Sequence, residues 1–349
     1  MATSSPITGS AIDSSLPPYE VIRSTRVSRV FAVFCLVAVV AIVILPFWGS
    51  RASVRLGIEI AYYLALAQLW NLLAGYTGMV SIGQQAYVGL GAYAFFALSM
   101  FFGVPPMLAL VIAGLITAAI SVPTAALVFR LRGHYFAIGT WVVAEVWRLS
   151  VALVPALGAG SGMSLPPYVM QAISPDRMLR DDIVYWTAIA LALFVVALVY
   201  LLLRSRQGLA LMAIRDSERA SESLGINNFR VKLTIYIVTA AATGMIGALI
   251  FLRKIRITPD SAFSVQDWTA FVIFIVVIGG IGTIEGPIIG VIVYFVLREL
   301  LADFGAIYLI LMGVIAVVVM LKAPGGLWGW VSKRYDIQLF PVGHRLKIK

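Results

Sequence analysis

The stretch whose reading decides the fold is RSRQGLALMAIRDSERASESLGINNFRVK, residues 204–232. It holds six basic and three acidic residues in a chain whose charged fraction is only 12%. The flanking segments, 183–203 and 233–252, are apolar and close to the ~20 residues that a bilayer crossing needs. A loop this basic belongs on the cytoplasmic face, where Lys and Arg are retained during insertion. Within it, residues 213–225 combine helix formers, acidic residues and a closing glycine, which predicts one short helix stopped at Gly225. A structured helix on the cytoplasmic side of a membrane protein is a surface for a partner.

Working outward, 61% of the 349 residues are hydrophobic, against roughly half in a soluble domain. The chain therefore reads as an all-α, polytopic membrane helix bundle in contact with lipid. Its net charge of +10 sits in short loops and at the ends of apolar runs. Membrane topology accounts for that pattern, and no nucleic acid is expected as a partner. Cys35, the single cysteine, lies inside the first apolar segment, where it has no disulfide partner. About ten transmembrane helices are predicted, over 30–48, 56–73, 85–102, 106–129, 135–157, 183–203, 233–252, 268–280, 287–301 and 306–321. The eighth and ninth are short, so they either extend into the glycine-rich junction between them or dip in without crossing. Ten spans place both termini in the cytoplasm. The arm, the Arg130/Arg132 turn, the large loop and the tail then hold 17 Lys/Arg, and the outer loops hold seven. Those seven are Arg51, Arg55, Arg177, Arg180, Arg253, Lys254 and Arg256. In this layout spans two to five and seven to ten run in opposite senses, as inverted-topology repeats would. Residues 1–29, rich in Ser, Thr and Pro, are expected to be a disordered cytoplasmic arm, and 331–349 a basic cytoplasmic tail. Residues 44–48, ILPFW, make a poor cleavage site, so no signal peptide is expected.

Three places break the apolar pattern. Residues 75–91, GYTGMVSIGQQAYVGLG, place glycines, two glutamines and two tyrosines near membrane depth. Irregular backbone there must be buried in protein or line a cavity. Two readings stand: a turn between packed helices, or a substrate pathway lined by Gln84, Gln85 and Tyr87. Residues 279–290, GGIGTIEGPIIG, carry Gly282, Gly286 and Gly290 at a spacing of four, suited to close helix packing. Pro287 fits the first turn of the following helix. Glu145 and Arg148 lie three apart on one helix face. They are read either as an ion pair that holds the bundle or, for Glu145, as part of the pathway.

Catalytic constellations are missing from the sequence. There is no Gly-x4-Gly-Lys-Ser/Thr loop for nucleotide and no His-Glu-x2-His pair for zinc. His134 and His344 have no ligand partner at a metal-binding spacing, so neither metal nor catalysis is expected.

Six pieces in a fixed order resemble the permease subunits of bacterial branched-chain amino acid ABC importers, of the LivM type. They are residues 75–93, 131–148 (LRGHYFAIGTWVVAEVWR), 213–249, 258–264 (TPDSAFS), 278–290 and 323–329 (APGGLWG). On this resemblance, residues 30–330 are the transmembrane domain and 204–232 its coupling loop. The family's loop motif, Glu-Ala-Ala-x3-Gly, corresponds to Arg219, Ala220, Ser221 and Gly225, with Arg in place of Glu and Ser in place of the second Ala. The resemblance thus assigns Arg215, Asp216, Arg219, Ala220, Ser221 and Gly225 to contact with an ATPase. It also implies a LivH-like second permease, two cytoplasmic ATPases that bind the ATP, and a periplasmic substrate-binding protein. No cofactor is expected in the chain itself, and the location implied is the bacterial inner (plasma) membrane. A permease for urea or a short-chain amide is the alternative within the family. An ion-coupled secondary transporter acting alone is the alternative outside it, and a membrane-embedded enzyme lacks a catalytic set.

Overall fold

The computed structural model describes residues 19–22, 26–305, 307–323, 325–335, 339–340 and 345–348. Helices dominate: α1 (Arg26–Trp48), α2 (Arg51–Thr77), α3 (Gln84–Phe101), α4 (Pro106–Val128), α5 (His134–Ala152), the short α6 (Pro167–Gln171) and α7 (Arg177–Arg204) form the first half. The second half comprises α8 (Arg206–Asp216), α9 (Glu218–Ser223), α10 (Asn228–Lys254), the short α11 (Pro259–Ala262), α12 (Phe271–Gly279), α13 (Glu285–Leu301), α14 (Ile307–Lys322) and α15 (Gly326–Tyr335). A π-helical turn over Gln266–Ala270 leads into α12. Side-chain oxygens cap the helix starts that the sequence punctuates with Ser, Asp or Asn. Ser50, Asp176, Ser205, Ser217 and Asn227 each accept from a backbone N–H in the first turn of α2, α7, α8, α9 and α10.

Two long helices form the centre. α10 packs against α3 and α4 on one side and α2 on the other, while α2 packs against α7 and the α12–α13 hairpin. Small residues set these distances. A Cβ on Gly91 of α3 would stand 2.2 Å from the carbonyl oxygen of Gly244 on α10, so the two backbones touch. α14 lies at the edge, its side chains mostly exposed.

Each expected segment centres on a helix, with 135–157 overrunning the end of α5 at Ala152, but the count of ten spans is not reached by length and composition. Among the described residues, six helical runs are long and apolar enough to cross a membrane: 51–77, 106–128, 177–204, 228–254, 259–279 and 307–332. A seventh results if α5 and residues 155–161, bent by 93°, form one broken span. The eighth segment grows backwards, through the π turn to Pro259, and not into the glycine-rich junction. A second correction concerns residues 213–225. They form no single helix, because Ser217, in extended conformation at φ −162°, ends α8 and caps α9. Of the N-terminal arm, the described residues are β1 (Tyr19–Ile22), paired antiparallel with β4 (Arg345–Ile348) of the tail, and the start of α1 at Arg26. Residues 1–18 and 23–25 lie outside the described residues. A short ladder joins β2 (Met163–Ser164) to β3 (Arg256–Ile257) at the opposite end of the bundle.

Candidate functional site

The α8–α9 unit projects from one end of the bundle. Arg215, Asp216, Arg219 and Ala220 are exposed. Ser221 is not: it is 1% exposed, with its hydroxyl 2.8 Å from Glu218 O and 2.9 Å from Asn228 Oδ1. Asn228 donates from Nδ2 to Glu218 O at 2.9 Å, and Lys232 pairs with the Glu218 carboxylate. These bonds clip α9 to the first turns of α10. Ser221, grouped by the family resemblance with the partner-contacting residues, thus faces inward as an anchor. Gly225 takes the expected left-handed conformation, φ +80°, where an L side chain is strained.

Beside α9 a cleft of about 410 Å³ opens between the α4–α5 turn and α10, with Phe129, Arg132, Glu218 and Lys232 in its wall. From its Phe129, an aromatic chain runs inward. The Phe129 ring meets Tyr236 edge-on at 5.3 Å, and Tyr236 meets Tyr87 at 5.7 Å.

At the same end of the bundle the two glycine-rich interruptions meet. Arg215 lies over the second of them: a Cβ on Gly282 would stand 2.8 Å from its Nη1 and 3.3 Å from Gly75 O. Gly282, at φ +77°, sits in the turn before α13 and not on the helix interface expected for it. Helix packing is the work of Gly279, Gly286 and Gly290, where Cβ atoms would fall 1.8–2.1 Å from facing backbone oxygens.

Side chains from α2, singled out by no motif, satisfy the broken backbone. Gln68 Nε2 donates to Ile284 O and Asn71 Nδ2 to Thr283 O, each at 2.8 Å, while Asn71 Oδ1 accepts from Gly282 N at 2.8 Å. Trp70 Nε1 donates to Ser81 O in the first interruption. The signal was present as two amides three apart in an apolar span, on one helix face. Glu285 is buried and accepts from the backbone N–H groups of Leu339 and Phe340, holding the tail against the start of α13.

Of the four pathway residues, the structure brings two together, Gln84 and Tyr87. Gln84 is buried, donating from Nε2 to Leu66 O at 3.0 Å, and its Oε1 has no partner among the described residues. Tyr87 donates to the Tyr236 hydroxyl at 2.9 Å. Both line a small cavity of about 10 Å³ with Ser81, Thr239 and Thr243, room for about one water. Gln85, next in sequence, points the other way. Its Oε1 accepts from the Thr269 hydroxyl in the π turn, pinning α3 to that turn. Glu145 is separate. It pairs with Arg148, which also reaches Asp260 of α11 at 2.6 Å, so this acid joins an ion-pair network partly open to solvent.

Comparison with known proteins gives a consistent answer. A family model described as the permease component of branched-chain amino acid transport systems matches residues 54–323. The permease protein LivM of the high-affinity branched-chain amino acid transport system of Salmonella typhimurium is 31% identical over 307 residues, 82% of this chain and 72% of that one. Its Escherichia coli counterpart is 32% identical over the same shares. A probable LivH permease of Methanocaldococcus jannaschii is 22% identical over 72% of this chain and 84% of its own. No solved structure matches.

Proposed function

This chain belongs to the branched-chain amino acid transport permease family, and we propose that it forms one half of the membrane core of an importer driven by ATPase subunits. It is a multi-pass membrane protein and a permease subunit for branched-chain amino acids; the family match over residues 54–323 carries this reading. A urea or amide substrate is not favoured, since the relatives are named for branched-chain amino acids.

In the proposal, a LivH-like permease completes the core, two ATPases dock on the α8–α9 side, and a substrate-binding protein delivers cargo to the other end. The ATP is bound by the partners, and the chain itself is no enzyme. The α8–α9 side is cytoplasmic, as are both termini, and ten helices cross or enter the bilayer. The reciprocal packing of α2 on α12–α13 and of α10 on α3–α4 supports inverted repeats within that count. Arg215, Asp216, Arg219 and Ala220 offer the exposed contacts to the ATPase, with Ser221 fixing α9 from behind. Movement of α9 reaches the interior by two routes. One is the aromatic chain Phe129–Tyr236–Tyr87, and the other is Arg215 on the Gly75–Gly282 junction. Gln84 and Tyr87 line the substrate pathway, supported by their shared cavity.

The test is Gly225→Val, assembled with the second permease and the ATPases in reconstituted vesicles. A β-branched residue at φ +80° costs about 1–2 kcal/mol in a left-handed conformation, enough to displace the α9–α10 connection. The variant inserts normally, and substrate-stimulated ATP hydrolysis and uptake fall together. Wild-type uptake and wild-type ATPase recruitment by this variant overturn the docking assignment. Uptake by wild-type vesicles lacking the ATPase overturns the importer reading as a whole.

A further inference from the structure

At the end of the bundle opposite α8–α9, a cavity of about 400 Å³ lies between the start of α2, the start of α7 and the end of α10. Its wall gathers Arg51, Arg55, Arg177, Arg180, Arg253 and Lys254, against two carboxylates, Glu59 and Asp181. These are six of the seven basic residues that the sequence places on the outer side, against the usual bias of membrane proteins. The ends of three helices, α2, α7 and α10, bring them to one point.

The anions present do not neutralise them. Glu59 is shared by Arg298 at 2.9 Å and Arg253 at 3.5 Å, and Arg51 takes Asp182 at 2.7 Å. Arg55, Arg177 and Arg180 make no ion pair among the described residues. The Nε of Arg180 is moreover buried, with no hydrogen-bond partner among them. Like charges held this close favour a bound anion. The surroundings say which kind. Phe47 and Trp48, at the end of α1, are 76% and 70% exposed, and Phe47 lies 6.0 Å from the Trp186 ring on α7. Exposed aromatic residues at helix ends mark the headgroup level of a bilayer. Val54, Ile58, Val184 and Leu252 give the cavity an apolar floor, and the exposed flank of α1 runs on from Phe47 through Ile44 and Val40.

We propose that this cavity binds the phosphate of an anionic phospholipid, with its acyl chains along α1 and α7. The lipid supplies the counter-charge that the protein lacks and ties the α1–α2 turn to the ends of α7 and α10.

The test uses the full chain in its assembled transporter, purified in mild detergent, with retained phospholipid measured by mass spectrometry. Wild type retains phosphatidylglycerol over phosphatidylethanolamine. Arg55→Gln and Arg180→Gln each lower the retained anionic lipid about fivefold. Arg55→Lys keeps it, and Arg132→Gln, at the other end of the bundle, leaves it unchanged. Equal retention in the double Gln variant overturns the site, as does equal loss in Arg132→Gln. Variants that keep their lipid but lose affinity for the acidic face of a soluble partner also overturn it, in favour of protein docking. Should the Gln variants fail to fold, wild type is melted in phosphatidylglycerol and in phosphatidylcholine nanodiscs. A higher melting temperature in the former is expected. Equal melting, or stabilisation by inorganic phosphate alone, overturns the lipid assignment.

Discussion

Neighbouring glutamines at the start of α3 show how one position decides a side chain's role. Gln84 carries a buried acceptor with no partner among the described residues and turns toward the small cavity, whereas Gln85 is bonded to Thr269. An unmade buried hydrogen bond costs more than a made one contributes. Gln84→Ala therefore removes an unsatisfied oxygen along with one donated bond, and should leave stability close to wild type. Gln85→Ala strips the Thr269 hydroxyl of its acceptor and should destabilise by about 1–3 kcal/mol. Transport separates them in the other direction. Gln84→Ala should slow uptake without changing which substrates compete, with thermal unfolding in detergent measured in parallel. An unaltered rate in Gln84→Ala would leave the cavity as packing alone. The sequence singled out both glutamines as polar residues in a glycine-rich stretch near membrane depth. It did not tell them apart, since Leu66 and Thr269, their partners, lie far along the chain.

Among the elements, the α12–α13 hairpin depends on backbones in contact. A Cβ on Gly290 would lie 1.9 Å from Ile275 O, and a carbonyl in a helix cannot swing aside as a side chain can. Gly290→Ala should part the hairpin, pull residues 282–284 off Asn71 and Gln68, and cost about 1–3 kcal/mol, as overpacking does. Gly313→Ala on α14 is the control. Nothing lies within 4 Å of its Cβ position, so the gain of helix propensity, up to about 1 kcal/mol, is all that remains. Melting temperatures of the two variants should therefore move in opposite directions. The spacing of four among Gly282, Gly286 and Gly290 was legible in the sequence. That Gly282 leaves the series for the turn, with Gly279 entering it, follows from where α12 ends, which glycine spacing does not encode. The division of residues 213–225 at Ser217 was likewise hidden, because Ser serves equally in a helix interior and at a cap.

For the whole molecule the orientation remains the widest claim to test. After Cys35→Ser removes the single native thiol, Ser223→Cys on the exposed rim of α9 should resist impermeant thiol reagents added outside. Ala172→Cys, exposed beyond α6, should react. Reversed labelling would put α8–α9 outside and remove any contact with a cytoplasmic ATPase. What the sequence determined by itself was class and order: apolar runs, basic loop and glycine-rich breaks are local properties, fixed by chain chemistry against lipid and water. It also exposed the family through six short motifs. Only the tertiary structure decided which residues share a site. Asn71 meets Gly282, Glu285 holds the backbone at Leu339, and the ends of three helices converge beside Arg180 because helices crossing at close quarters join positions tens to hundreds of residues apart. Such pairings depend on the relative rotation and depth of packed helices. Those are set by the sum of small-residue contacts over the whole bundle, not by any one segment.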